Sequence, residues 1–503
     1  MAAVIDWSAI LPAVASGWVL STLSAAAFIL SLWAIVQVLR TRKEPMAMLA
    51  WVLGILLVPL LGVGFYFLIG ERRVKRRVHR KRRRRGMELI SRAIASASRQ
   101  EGLDAYTVGG TDLPALLCMD EGLRPLAAIS ARLGEFQLTS GNRVKAFTCA
   151  QEVYDDLLRE IDRAEHHIHL EYYIFRPDRT GRLFRDRLAA RAREGIEVRL
   201  LLDGVGSFWT RLGFLRSLKA AGAQVTTFLP AIPLGRHWQI NCRNHRKIAV
   251  FDGRCAYTGS QNIGDEHRGL LPLRRPWKET HLRIEGPAAV HLQDVFVEDW
   301  FFASGQDLAT GRYLRRQAPC GDSLVQIVPS GPDRDESTLG HIFFTALSQA
   351  RSSIRISTPY FVPDPCLILA LQNAAHRGLE VEVMVPTKTD SCLVLWAGRS
   401  YYQELIRAGV RIYEYDLGML HSKTVIIDDR WSMVGSANMD VRSFFLNFEV
   451  TACTFDESIA RTICEDFRAT REKCRPIRPF DGAREPPAPS MLEGAARLLS
   501  PLL

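Results

Sequence analysis

Hydrophobic and polar positions divide this chain into regions of different character. From about Ile10 to Leu39, and again from Met46 to Ile69, apolar residues run without a single charge. Each run exceeds the ~20 residues that a helix needs to cross a hydrocarbon core, so the pattern predicts two membrane spans joined by a short loop. A signal peptide would open on positive charge, whereas the only charge before Arg40 is Asp6. The second run is too long and too apolar for an ordinary core helix. A basic and polar connector with helical character follows to about residue 140. Beyond it the pattern changes to short apolar runs rich in β-branched residues, alternating with helical stretches such as 151–164 and 366–377. Ile248-Ala249-Val250-Phe251 and Thr424-Val425-Ile426-Ile427 read as buried strands, closed by turns at 252–253 and 428–429.

These alternations repeat. Ala164 to Phe175 (AEHHIHLEYYIF) aligns with Ala350 to Phe361 (ARSSIRISTPYF), and Gly195 to Leu202 (GIEVRLLL) with Gly378 to Val385 (GLEVEVMV). Leu218 to Gly222 (LKAAG) echoes Leu405 to Gly409 (LIRAG). The expectation is an α/β fold of two halves with mixed sheets flanked by helices, stacked about a pseudo-twofold axis. The expected organisation is a two-helix transmembrane hairpin at 1–70, a connector at 71–140, a first half at 141–320, a second half at 321–480 and a tail at 481–503. Within that tail, the Pro-rich stretch to Pro489 should be irregular and Leu492 to Leu503 a short apolar helix.

Charge sharpens this picture. The chain carries 65 Lys and Arg against 54 Asp and Glu, a net charge of +11. Residues 71–85 (ERRVKRRVHRKRRRR) hold eleven of the cations and one Glu, so +10 of the excess lies in fifteen residues. Beside a span, such a run marks the cytoplasmic side, and the loop at 40–44 offers only three positive residues. Each Lys or Arg near an anionic leaflet contributes about 1 kcal/mol, so the run should press the following region onto acidic lipid. The remainder is close to balanced, which argues against a nucleic-acid partner. The ten Cys lack C-x-x-C spacing and none lies in the first hundred residues, which fits reduced thiols in a cytoplasmic domain. His166, His167 and His169 flank an apolar strand without matching Cys or carboxylate spacing and are read as structural or substrate-lining. No metal and no cofactor is expected, and no Walker-type loop or dinucleotide fingerprint is present.

The chemistry sits in one motif spelled twice. His245, Lys247 and Asp252 form H-x-K-x4-D, and His421, Lys423 and Asp428 repeat it. Gly259-Ser260 starts fourteen residues after His245, Gly435-Ser436 fourteen after His421, and Asn262 and Asn438 close the two trailers. Two copies with matched trailers imply a duplicated half-site with the residue types that handle a phosphodiester. One imidazole can attack phosphorus while the other, protonated, donates to the leaving oxygen. The two Lys bring positive charge to the non-bridging oxygens. Ser260, Asn262, Ser436 and Asn438 read as neutral donors to the same oxygens. Asp252 and Asp428 complete the motif, more in shaping each half-site than in proton transfer. By sequence the two motifs are nearly symmetric, so either His can be the nucleophile.

On these residues the chain resembles the phospholipase D superfamily, and within it the bacterial cardiolipin synthases of the two-transmembrane type. The resemblance runs from the apolar hairpin to Ser500-Pro501-Leu502-Leu503. It is most specific at Asn244-His245-Arg246-Lys247, at Gly259 through Glu266, and at His421-Ser422-Lys423 through Asn438. His169 through Phe175 and Ser357 through Phe361 are similar too. The resemblance implies transfer of a phosphatidyl group through a phosphohistidine, with His245 as nucleophile and His421 as acid and base. It implies an acidic residue behind each His: Glu449 for His421, and Glu279 for His245, where many relatives carry Asp. Phosphatidylglycerol is the implied substrate, anionic membrane lipid the implied partner, and the bacterial inner membrane the implied location, with the catalytic domain cytoplasmic. Hydrolysis by the same residues with water as acceptor, or a membrane-tethered nuclease or phosphodiesterase, stays open at this level.

Overall fold

A computed structural model describes residues 7–40, 45–70, 120–134, 136–211, 213–231, 241–270, 275–334, 336–478 and 490–500. The basic run at 71–85, most of the connector, and the Pro-rich stretch at 479–489 lie outside the described residues. The chain divides into two compact units, Met1–Arg73 and Val74–Leu503.

The first unit is helical. α1 spans Trp7–Leu39, α2 Pro45–Leu57 and α3 Pro59–Phe65, followed by a π-helical turn at Tyr66–Gly70. The second apolar run, Met46 to Ile69, is thus broken into α2 and α3. Pro59 has no N–H to continue the helix and clashes with the preceding turn, so the chain kinks at Val58 and restarts. Ala34, Val38, Ile55, Val63 and Tyr66 form this unit's core. Among the described residues, no helix is long and apolar enough to cross a membrane.

The second unit is built on one mixed sheet. Its first-half strands are β1 (Thr139–Phe147), β2 (His167–Tyr172), β3 (Glu197–Asp203), β4 (Gln224–Phe228), β5 (Arg243–Asn244), β6 (Ile248–Phe251), β7 (Cys255–Gly259) and β8 (His281–Glu285). Its second-half strands are β9 (Ser323–Ser330), β10 (Ser353–Ser357), β11 (Phe361–Val362), β12 (Glu380–Pro386), β13 (Arg411–Tyr415), β14 (Thr424–Ile427), β15 (Trp431–Gly435), β16 (Met439–Asp440), β17 (Asn447–Thr454) and β18 (Cys474–Pro476). The order β18-β13-β12-β10-β14-β15-β17-β9-β1-β8-β7-β6-β2-β3-β4 reads as the same arrangement from both ends, apart from the added edge strand β18. β2, β3 and β4 pair in parallel, as β10, β12 and β13 do, while β6–β7–β8 and β14–β15–β17 pair antiparallel. The two halves join where β1 and β9 run antiparallel at the middle of the sheet. The repeats read from the sequence fall on equivalent strands, β2 with β10 and β3 with β12. The expected helices appear as Ala150–Arg163 and Pro365–His376.

Because helices cover both faces, strands such as β6 and β14 are buried along their whole length and read as unbroken apolar runs. Each half has its own core, one around Tyr154, Leu170, Phe251 and Tyr257, the other around Leu339, Ile354, Leu371 and Trp431. A third cluster crosses the join, packing Ile248, Val250, Leu282 and Ile284 against Val325, Ile327, Ile426, Val434 and Val450. This shared core fixes the halves against each other at the seam. The tail ends in a short helix, Met491–Leu498, capped by Ser490 and Glu493.

Candidate active site

Strand pairing across the seam decides the geometry. β5 pairs in parallel with the start of β17, setting Asn244 beside Phe448, and the His245 N–H donates to the Phe448 carbonyl at 2.9 Å. The next residue of β17 is Glu449, and its two carboxylate oxygens each lie 3.0 Å from His245 Nδ1. The other copy does the same. Leu420 bridges to Lys278, and the N–H groups of His421 and Ser422 donate to the Lys278 carbonyl at 2.8 and 2.9 Å. Glu279 follows, 2.8 and 3.0 Å from His421 Nδ1. The carboxylates are therefore crossed relative to the expectation: Glu449 backs His245 and Glu279 backs His421. The physical reason is that each His follows a segment annexed by the opposite half's strand.

A carboxylate can only accept, so each imidazole donates from Nδ1 and keeps its lone pair on Nε2. The Ser residues of the trailers serve the carboxylates instead of a phosphate, which corrects a second expectation. Ser436 Oγ donates to Glu449 at 2.5 Å and accepts the Val450 N–H at 3.0 Å. Ser260 Oγ donates to Glu279 and accepts the Thr280 N–H at 3.0 Å. The glycines before them allow this closeness: a Cβ on Gly259 would lie 2.5 Å from the Thr280 carbonyl, and one on Gly435 2.5 Å from the Val450 carbonyl. Asn262 Oδ1 accepts the Ile174 N–H at 3.2 Å. The Asn438 N–H donates to Ser443 Oγ at 3.0 Å, and its Oδ1 is buried without a partner among the described residues.

Lys247 and Lys423 are buried beside the imidazoles, their Nζ donating to the carbonyls of His245 and His421 at 2.6 and 2.7 Å. Asp252 and Asp428 are not brought to this site. Each sits beyond a four-residue strand, roughly 13 Å of chain at strand rise. Asp252 accepts the N–H groups of Glu165, His166 and His167 at 2.8–2.9 Å, and Asp428 those of Arg351, Ser352 and Ser353 at 2.7–2.9 Å. Both hold φ +55°, a left-handed turn that Asp tolerates. These two Asp, the third members of the motif, close the strand that follows each H-x-K.

Residues that sequence reasoning did not single out complete the walls. The Tyr173 ring lies 5.0 Å from the His245 ring and 5.6 Å from Lys247 Nζ, and the Trp277 ring 5.1 Å from His421. Arg246 ties the first motif to the other half, donating to the carbonyls of Glu449 and Ser330 at 3.0 and 3.1 Å and pairing with Asp299. His267 Nδ1 lies 2.7 Å from Glu279, and Ser443 Oγ donates to Glu449 at 3.0 Å. Carrying the 176-residue offset between the motif copies eight positions past each Gly would have found this last pair.

Burial governs the electrostatics. It pushes His245 down to about 4 and His421 down to about 3, against the pull of Glu449 and Glu279, so both imidazoles are neutral at neutral pH in the unliganded site. Burial brings Lys423 down to about 8 and Lys247 well below its ordinary value, offset in part by the same two carboxylates. Burial acts to raise Glu279 and Glu449, but their imidazole partners hold both below the usual carboxylate range. An anion entering here meets two ammonium groups and two Nε2 atoms, and its charge favours protonation of one imidazole. Among the described residues, no cluster of three or more His, Cys, Asp or Glu is set to hold a metal ion.

Comparison with known proteins gives consistent findings. A family model described as "Cardiolipin synthase, PLD-like domain" matches residues 157–300 and 343–471, and one described as "Phospholipase_D-nuclease N-terminal" matches 29–71. The chain is 35% identical over 464 residues to the cardiolipin synthase of Geobacillus sp. (strain WCH70), covering 92% of this chain and 90% of that protein. It is 35% identical over 491 residues to the major cardiolipin synthase of Bacillus subtilis, covering 96% and 99%. Among solved structures, phosphatidylserine synthase of Haemophilus influenzae is 14% identical with a TM-score of 0.58, covering 75% of this chain and all of that one, which is a likeness of fold.

Proposed function

We propose a mechanism for this chain from one premise: it belongs to the phospholipase D-like cardiolipin synthase family. It is a phosphatidyltransferase that makes cardiolipin and glycerol from two molecules of phosphatidylglycerol. The observation that carries the mechanism is the crossed pair of His–Glu contacts, which ties the imidazole of each half to a carboxylate of the other.

In the first step His245 Nε2 attacks the phosphorus of one phosphatidylglycerol. The bond to the departing glycerol oxygen breaks as His421 supplies its proton, leaving a phosphatidyl-histidine. In the second step the primary hydroxyl of another phosphatidylglycerol gives its proton to His421 and attacks phosphorus, and the P–N bond breaks. Lys247 and Lys423 neutralise the non-bridging oxygens in both transition states. Glu449 and Glu279 hold the imidazoles in the tautomer that exposes Nε2. Splitting the transfer in two lets one site serve donor and acceptor in turn.

The protein acts at the membrane. The outward residues of α1, α2 and α3 include Phe28, Leu57, Leu60 and Leu61, all more than half exposed, which is costly in water and natural in lipid. The N-terminal unit meets the inner membrane through this apolar surface, with the basic run on the cytoplasmic side against anionic lipid. The test is product analysis. Purified full-length protein in mixed micelles receives phosphatidylglycerol alone with EDTA present. Cardiolipin with released glycerol is the expected outcome. Phosphatidic acid without cardiolipin makes water the acceptor and overturns the reading.

A further inference from the structure

The two half-sites share their imidazole, Lys, carboxylate and trailing Ser, and differ in what else bonds each carboxylate. Glu279 and Glu449 both accept an imidazole Nδ1 and the Oγ of the trailing Ser, Ser260 or Ser436. The remaining equivalent position differs: Ser443 offers Glu449 a hydroxyl at 3.0 Å, but His267 offers Glu279 a second imidazole at 2.7 Å. His267 Nδ1 and His421 Nδ1 converge on the same oxygen, Oε1, at 2.7 and 2.8 Å. The His267 side chain is fully buried, its Nε2 has no partner among the described residues, and its ring centroid lies 6.1 Å from that of His421. Trp277 holds the pair in place, 5.0 Å from His267 and 5.1 Å from His421.

We propose that His267 is a positioning residue that makes the two imidazoles of the site chemically unequal, by sharing the carboxylate of Glu279 with His421. Two imidazoles on one carboxylate oxygen compete for its negative charge. A proton placed on His267 opposes a second on His421 at this distance, and His267 acts on His421 in that sense. On the other side Glu449 Oε1 receives, beside His245, the Ser443 hydroxyl at 3.0 Å and the Asn447 amide at 3.3 Å, and neither of these can become a cation. The result is that the conjugate acid of His421 gives up its proton more readily than a symmetric site would allow. That suits the imidazole that must donate in one half-reaction and accept in the next. The inference rests on the two-step transfer described above, in which His421 is the acid and base.

Other charged groups surround the pair without duplicating this role. Lys247, Lys423 and the buried His281 act on Glu279 through space, as does the Tyr154 hydroxyl. Glu266, the neighbour of His267 in the chain, is committed to Arg176 at 3.1 Å. Only His267 and His421 bond the carboxylate through ring nitrogens.

The test compares wild type with H267S, which installs the group of the other half, and H267Q, which keeps an N–H donor without an imidazole. Cardiolipin formation from phosphatidylglycerol micelles is followed as kcat between pH 5 and 9. In both variants the limb set by His421 should move to higher pH by roughly half a unit or more. A limb left unmoved in both variants, with activity lowered evenly across pH, reduces His267 to packing and overturns the proposal. Wild type that releases no cardiolipin at any pH would instead count against the reading of the reaction. If H267S fails to fold, H267Q decides the matter on its own.

Discussion

The Glu449 carboxylate lies 3.0 Å from Nδ1 of His245, a residue 204 positions earlier and in the other half of the molecule. Neither half therefore pairs its motif imidazole with a carboxylate of its own. E449Q should impair the imidazole of the first motif and E279Q that of the second, each lowering kcat by about 10²–10⁴-fold. Rapid-quench kinetics with labelled phosphatidylglycerol separate them. If the roles are as proposed, E449Q slows formation of the phosphatidyl-enzyme and E279Q slows proton transfer at the glycerol oxygen. Uncrossed effects would sink the assignment.

His245→Ala and His421→Ala should each abolish turnover, because a composite site has no spare half. The measurement is cardiolipin released per enzyme over hours. Wild-type rates in either single variant would end the composite reading.

Lys423, held near 8 by burial, should impose an alkaline limb on kcat/KM, which reports the free enzyme. Above that pH the ammonium loses its proton and the phosphate loses a counter-charge. Lys423→Arg stays charged throughout, so the limb should vanish even if the overall rate falls. A limb that persists in the Arg variant points to another group.

Asp252→Ala should cost stability and spare chemistry. The carboxylate accepts three backbone N–H groups, and leaving them unpaired costs on the order of 1–3 kcal/mol. Thermal unfolding should show a lower Tm, while kcat per folded molecule stays within a few-fold. Loss of activity at unchanged Tm would restore Asp252 to the chemistry.

Stability should fall in mild acid. His245 and His421 are buried with values pushed down to about 4 and 3, and His281 down to about 3, against about 6.5 in an unfolded chain. Between pH 6.5 and 4 the unfolded state binds protons that the folded state refuses, so unfolding becomes easier as pH drops. Each imidazole contributes up to about 1.4 kcal/mol per pH unit. Denaturant midpoints at pH 7 and pH 5 check this, and equal midpoints would contradict it.

Much of this protein was legible in its sequence. The duplicated H-x-K-x4-D fixed two half-sites, because a motif repeated with its trailer has no simple origin except a repeated unit. The apolar runs at Ile248–Phe251 and Thr424–Ile427 announced buried strands, since a sheet covered on both faces leaves no polar period to read. Local rules set such features, and local rules are visible in one dimension. The turn at Asp252 belongs here too, though the three amides it accepts do not.

What the tertiary structure decided is which partner each group meets. Glu449 and Glu279 were identifiable as carboxylates behind imidazoles, yet assigned to the wrong ones. Chain spacing orders residues along a strand but does not say whose strand lies alongside. Ser260 and Ser436 turned from phosphate to carboxylate for the same reason: antiparallel pairing sets Ser260 beside the entry to β8, where Glu279 lies, and Ser436 beside β17, which carries Glu449. His267 meets Glu279 within its own half, twelve residues on, and the seam then adds His421 to the same carboxylate.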